Sequence, residues 1–247
     1  MKAMIFAAGL GTRLRPITDT LPKALVPVCG KPLLYHTIIR LRDAGYTDLV
    51  VNIHHFPQQI RRYLSQNDFG VNIRISDESD RLLETGGAIL HAKPLLEDTQ
   101  EPFLIHNVDI VSNLDIPWFR SRMPAGALAT LLVSPRETRR YLLFDDGMRL
   151  VGWTDTATGQ VRSPYPGLRA QDCRRYAFAG IHNISPAIFA AFRDLAVPER
   201  FPIMDFYLDA CARYPIMGVP APDLTVVDVG KLDTLAQAEQ VAAGLLL

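Results

Sequence analysis

The residues best suited to chemistry lie early in the chain. Ala7-Ala8-Gly9-Leu10-Gly11-Thr12-Arg13 follows an apolar, strand-like run. Glycines let backbone N–H groups approach a polyanion, and Thr12 and Arg13 add a hydroxyl and a fork of donors. Ala8, Gly9, Gly11, Thr12 and Arg13 are therefore expected to cradle phosphates. The loop is not a dinucleotide fingerprint, because Leu14 stands where the third glycine belongs, nor a P-loop, because no Gly-Lys-Ser/Thr follows. Two acids could complete such a site. Asp109 closes the apolar stretch that begins Phe103-Leu104-Ile105, and Asp228 follows Thr225-Val226-Val227. Both are predicted at strand carboxyl ends, where two carboxylates facing one cleft can hold a Mg2+ completed by phosphate oxygens and water. Singly, each feature also has a plainer reading, as a strand-to-loop turn or a turn or capping aspartate.

The continuation raises the specificity. Leu14-Arg15-Pro16-Ile17-Thr18, Pro22-Lys23-Ala24-Leu25-Val26-Pro27-Val28 and Gly30-Lys31-Pro32 follow at close spacing. Residues 4–32 together resemble the signature of the sugar-phosphate nucleotidyltransferase family, A/G-G-x-G-T-R-L-x-P-x-T followed by P-K-x-L-x-P-V-x-G-K-P. The resemblance extends through Glu84-Thr85-Gly86-Gly87, Asn107-Val108-Asp109, Phe178-Ala179-Gly180-Ile181 and Val227-Asp228-Val229-Gly230. It implies an enzyme that joins a nucleoside triphosphate to a sugar 1-phosphate with Mg2+ and releases pyrophosphate. Arg13 would clamp the β and γ phosphates, and Lys23 would reach the α-phosphate and the incoming sugar phosphate. Asp109 and Asp228 would hold the metal, Glu84 and Gly86 would lie on the base side, and Gly180 and Asp205 on the sugar side. The demand for cations stands without any family: one phosphate dianion attacking another must overcome repulsion, and charge grows on the oxygens between the α and β phosphorus atoms.

The Glu-Thr-Gly-Gly form is similar to that of the family's uridylyltransferases, so UTP is the favoured nucleotide. A carboxylate such as Glu84 or Glu78 would accept from uracil N3–H and repel cytosine N3. Thr85 reads equally well as an N-cap. Two departures stand out: Val108 replaces the family's usual glycine before the aspartate, and Lys231 stands where a small threonine often follows Asp-x-Gly. The alternatives are a mannose or heptose 1-phosphate guanylyltransferase, a cytidylyltransferase, or a catalytically silent sugar-nucleotide-binding subunit. Retention of Arg13, Lys23, Asp109 and Asp228 speaks against silence. A nicotinamide-dependent dehydrogenase is disfavoured by Leu14 and by the Thr-Arg and Pro-Lys elements. The six histidines show no metal-ligand spacing and read as structural or surface residues.

The elements that must position these groups follow from the pattern. Up to about residue 107, short apolar runs alternate with amphipathic stretches: Ala3 to Ala7, Leu33 to Ala44, Leu49 to Ile53, Gln58 to Leu64, Val71 to Ile75, Gly87 to Leu96 and Phe103 to Ile105. This predicts an α/β fold with a Rossmann-like, mostly parallel sheet and helices on both faces. Beyond Asp109, runs at Ala127 to Val133, Leu142 to Phe144, Arg149 to Trp153 and Arg175 to Ile184 predict a small antiparallel extension forming the sugar side. Helices are expected at Pro186 to Phe192, Met204 to Arg213 and Lys231 to Leu246, the last after a strand at Thr225 to Val229. The 247 residues suit one domain, a nucleotide half over about 1–109 and a sugar-phosphate half over about 110–247. Lys+Arg 26 against Asp+Glu 26 recommends neither nucleic acid nor an acidic membrane as partner. Three scattered cysteines suit a reducing cytoplasm. The first apolar run is interrupted by Gly9, Gly11 and Arg13 before it could serve as a signal peptide, and no run reaches membrane-spanning length. Oligomeric state is left open, monomer or homo-oligomer.

Overall fold

The computed structural model describes residues 1–221, 223–230 and 232–245. The first strand, β1 (Lys2–Phe6), leads through the glycine loop and three short 3-10 turns, Thr12–Leu14, Ile17–Asp19 and Lys23–Leu25, to a tight ribbon of β2 (Pro27–Val28) and β3 (Lys31–Pro32). Then come α1 (Leu33–Asp43), β4 (Asp48–Ile53), α2 (Pro57–Gln66), β5 (Asn72–Asp77), α3 (Glu84–His91), α4 (Lys93–Leu96) and β6 (Phe103–Asn107). The single helical stretch expected up to Leu96 is split in two; Pro94 offers no N–H and cannot continue the α3 ladder. β1, β4, β5 and β6 are mutually parallel in the order β5-β4-β1-β6. The chain winds outward from β1 in one direction, then returns to add β6 on its other side. Such a reversal leaves a crevice at the carboxyl ends of the two central strands, which is where open α/β sheets take ligands.

The second part runs through β7 (Ile110–Ser112), α5 (Ile116–Ser121), β8 (Ala129–Ser134), β9 (Arg140–Phe144), β10 (Leu150–Asp155), β11 (Gln160–Arg162) and β12 (Arg174–Ile184). It ends with α6 (Ile188–Asp194), α7 (Ile203–Ala210), β13 (Ile216–Pro220), β14 (Val226–Asp228) and α8 (Leu232–Leu245). The antiparallel region goes deeper than an edge extension. β12 is hydrogen-bonded antiparallel to β6 along Ile181–Ile184 and to β8, while its first residues, Arg174–Tyr176, pair with β9. One strand therefore belongs to both the parallel core and the outlying β9-β10-β11 sheet. β7, α5, β11 and β13 had no counterpart among the expected elements; each is short or lies in a Pro- or Gly-interrupted run. Lys231, and with it the predicted start of the last helix, lies outside the described residues.

Burial follows the period-2 alternation of strands. Ala3 and Ile5, Leu49 and Val51, and Leu104 pack with α1, α2, α5 and α8 on one face. Met4, Val50, Phe103 and Ile105 pack with α3, α6 and α7 on the other. With both faces covered, the central strands are held at fixed height and direction, so the loops leaving Phe6 and Asn107 start from rigid points. Among the described residues no helix is long and apolar enough to cross a membrane.

Candidate active site

β1 and β6 end side by side, Phe6 opposite Asn107. As the chain leaves β1, the Ala7 N–H donates to Asn52 Oδ1 at 2.7 Å. Gly11 holds φ +64°, and a Cβ there would come 2.9 Å from Thr18 Cγ2 and 3.1 Å from Lys23 Cβ. The Thr18 hydroxyl donates to the Gly11 carbonyl at 2.8 Å. The loop is thereby folded back onto the Thr18 and Lys23 turns, which leaves the Gly9 side open: nothing lies within 4 Å of the position a Cβ would take there. Ala8, Gly9, Gly11, Thr12, Arg13, Lys23, Glu84 and Asp109 all line one cleft of about 410 Å3.

Lys23 is only 8 % exposed. Its ammonium donates to Asp109 Oδ2 and lies 3.9 Å from Asp228 Oδ1. The two carboxylates are brought together by a small ribbon. β14 pairs antiparallel with β7, placing Asp228 opposite Ile110, and the Val229 N–H donates to the Asp109 carbonyl at 2.9 Å. Asp228 Oδ1 is buried without a hydrogen-bond partner. Burial first, and the Asp109 charge second, raise the Asp228 carboxyl above the usual carboxylate range, against the pull of Lys23, Arg13 and Arg136. A Cβ at Gly230 would come 2.8 Å from Asp228 Oδ1 and 2.9 Å from Arg13 Nη2. That glycine keeps room between acid and guanidinium. An orphaned carboxylate oxygen beside a second carboxylate is a donor set that suits a divalent cation. Among the described residues no group of three or more His, Cys, Asp or Glu forms a metal cage, so phosphate oxygens and water would have to supply the remaining ligands.

Other predicted residues are placed differently. Gly86 does not line the cleft. Its N–H and that of Gly87 donate to the Phe201 carbonyl at 2.8 and 3.1 Å, and a Cβ at Gly86 would collide with the Phe201 ring at 2.2 Å. Glu84 reaches the rim, but its Oε1 accepts from Arg200 Nη2 at 3.0 Å. The Thr85 hydroxyl, instead of capping α3, accepts from the Ile203 N–H at 2.9 Å and ties α3 to the start of α7. Asp205 is half-exposed and paired with Arg162 at 2.7 Å, away from the cleft lining. Gly180 sits in the irregular stretch of β12 with φ +76°, where a Cβ would come 2.9 Å from Ile110 Cγ1 and 3.0 Å from Asn107 Nδ2. It adjoins the cleft without lining it. Val108 is 4 % exposed and packs into the core beneath the loop, contributing cleft wall as well.

Asn52, absent from the expected nucleotide contacts, and Glu78, only a side possibility among them, are polar residues of the cleft lining. Asn52 and Glu78 are each 3 % exposed. Asn52 Nδ2 donates to Glu78 Oε1 at 2.8 Å while its Oδ1 holds Ala7, so one amide links the phosphate loop to a buried acid. Burial raises the Glu78 carboxyl above its usual range, opposed by the Asn52 bond. The signal for Asn52 was an amide inside the otherwise apolar run Leu49 to Ile53. His106 and His182 are fully buried and pushed down to about 4 and about 3 by desolvation, so both are neutral structural groups.

A crevice at the sheet's reversal point thus brings together a bare glycine loop and a cation between two carboxylates. Comparison with known proteins gives the family: the nucleotidyl transferase model matches residues 2–140, and the chain belongs to that family. An N-acetylmuramate alpha-1-phosphate uridylyltransferase of Caulobacter vibrioides is 35% identical over 195 residues, 76% of each chain. A protein of the same description from Neisseria meningitidis serogroup B is 47% identical over 116 residues, 47% of this chain and 49% of that one. A mannose-1-phosphate guanyltransferase of Hypocrea jecorina is 39% identical over 113 residues, 45% of this chain and 31% of that one. The fold recurs at a TM-score of 0.79 and 20% identity in a Bacillus anthracis protein described as a glucose-1-phosphate thymidylyltransferase, covering 98% of this chain and 95% of that one.

Proposed function

We propose that the protein forms a nucleoside diphosphate sugar and pyrophosphate from a nucleoside triphosphate, with UTP preferred, and a sugar 1-phosphate. The observation that carries this reading is the cleft in which the open Gly9 loop, Arg13, Lys23 and Asp109 meet, with Asp228 at 3.9 Å from the Lys23 ammonium though outside the cleft lining. A sugar-phosphate oxygen attacks the α phosphorus in line, a new P–O bond forms, and the bond to the β-phosphate oxygen breaks with its electron pair leaving on pyrophosphate. Arg13 takes the β and γ phosphates and Lys23 the α-phosphate, so that both cations sit where charge grows. Asp109 and Asp228 would hold Mg2+, which when bound supplies further neutralisation of phosphate charge. The chain works as one unit, its nucleotide half ending near Asp109.

Glu78, rather than Glu84, supports the choice of UTP. Glu84 is engaged by Arg200, whereas Glu78 is buried at the cleft with one oxygen on Asn52 and the other 3.4 Å from the Leu83 N–H. An acceptor on uracil N3–H that would face the N3 lone pair of cytosine disfavours CTP, since a mismatch leaves buried polar groups unpaired. Guanine also offers N–H donors, and the guanyltransferase relatives keep GTP as the second reading. The test is pyrophosphate release with UTP, GTP, CTP and dTTP across a set of sugar 1-phosphates. UTP is expected to give the highest kcat/KM, by about 10² over CTP. A maximum with GTP or CTP overturns the base assignment, and no release with any pair overturns the reaction.

A further inference from the structure

Asn52 lies at the carboxyl end of β4, beside Phe6 of β1 on one side and Ser76 of β5 on the other. The run around it, Leu49 to Ile53, is otherwise apolar and buried. An amide in such a position costs stability unless both of its ends are paired. Both are. The Ala7 N–H can only donate, so it takes Oδ1, at 2.7 Å, and the amide nitrogen is thereby turned to Glu78 Oε1, at 2.8 Å. Glu78 is itself fixed at the backbone: its N–H donates to the Ile53 carbonyl at 2.8 Å, and His54 Nδ1 meets its carbonyl at 2.6 Å. Ala7, Asn52 and Glu78 all line the cleft. Asn183, the other buried asparagine among the described residues, donates to the Phe119 carbonyl at 3.4 Å and lies outside that lining.

We infer that Asn52 is a positioning residue for base selection: its amide ties Glu78 Oε1 to the start of the phosphate loop and leaves Glu78 Oε2 as the oxygen that reads the base. Among the described residues Oε2 receives one long bond, 3.4 Å from the Leu83 N–H, and so keeps acceptor capacity. An N–H on Oε1 favours the ionised acid, in the same direction as His91 and His54 and against burial. Oε2 is thereby kept in the form that takes uracil N3–H and not the lone pair of cytosine N3. One side chain bonded at both ends then sets the separation of the base reader from the phosphate cradle. The inference deepens the UTP reading and rests on it.

Initial rates with UTP and CTP are measured for the wild type, Asn52→Ala, Asn52→Asp and the double variant Asn52→Asp with Glu78→Gln. Inorganic triphosphate, which carries the phosphates without a base, is titrated as a competitor. Asn52→Asp keeps an acceptor for Ala7 but sets a second acid against Glu78. The ratio of kcat/KM for UTP over CTP is expected to fall about tenfold or more, through KM, with inhibition by triphosphate within about twofold of wild type. The double variant restores a donor facing an acceptor with the direction reversed and should recover most of the ratio. Asn52→Ala removes both bonds and should lower the ratio while weakening triphosphate as well. An unchanged ratio in either single variant, triphosphate weakened as much as UTP in Asn52→Asp, or no recovery in the double variant overturns the inference. A wild type without preference for UTP over CTP would instead count against the base assignment, and an inactive one against the reaction.

Discussion

Two glycine-bearing turns look alike in the sequence and behave differently in the fold. Around Gly9, the loop presents open space to the cleft, and a Cβ would touch nothing. Around Gly86 and Gly87, the backbone of α3 is pressed against the segment 199–201: a Cβ at Gly87 would come 2.4 Å from the Glu199 carbonyl oxygen. The space beside the first turn is open, and the space beside the second is filled by the protein itself. Ion pairs Arg81–Glu199 and Arg200–Glu84 flank that second contact and join the first half of the chain to the loop leading into α7. A glycine motif therefore acquires its meaning from what occupies the space its missing side chain leaves.

The strongest way to break this contrast is at the cation beside the open loop. Lys23→Ala should lower turnover by about 10² or more, because a preorganised charge at the proposed transferring phosphate is lost; near-normal turnover would remove Lys23 from the mechanism. The glycines themselves sharpen it. Gly87→Ala should cost about 1–3 kcal/mol in a denaturant titration, as overpacking against backbone does, whereas Gly9→Ala should stay within about 0.5 kcal/mol of wild type and act instead on nucleotide KM. Equal destabilisation at the two sites would erase the distinction. The smallest effect concerns Glu78. Its folded-state carboxyl is raised, so the folded chain keeps a proton that the unfolded chain has released, and the stabilisation is present at low pH and lost as pH rises through the raised value. Glu78→Gln should therefore flatten the fall in melting temperature over the pH range just above the usual carboxylate value; a slope identical to wild type would show that Glu78 is not the group responsible.

What was legible beforehand divides along the same line. Gly9, Gly11, Thr12, Arg13 and Lys23 occupy one contiguous stretch, so their spacing alone placed them together. Asp109 and Asp228 were legible as strand-end acids, because apolar runs precede them. The role of Gly86 was not, since the ring it packs against, Phe201, arrives from far along the chain. Nor was the pairing of Asp205 with Arg162 or of Glu84 with Arg200, because local pattern says nothing about which distant side chain neutralises a charge. β12 shows the same limit: its eleven residues read as one strand, but its service to two sheets depends on strands on either side.

The β7–β14 ribbon makes the meeting of the two acids depend on a late part of the chain. Asp109 and Asp228 are nearly half the chain apart, and only the late strand brings the second acid to the first. While the polypeptide is still emerging from the ribosome, β1, β4, β5 and β6 already have one another to pair with, but β12 beside β6 and the helices α6, α7 and α8 that cover the sheet are still to come. Such a nascent chain would hold the glycine loop, Lys23 and Asp109 but not Asp228. If the two acids act together as proposed, competence for transfer would await β14, which brings Asp228 to Asp109.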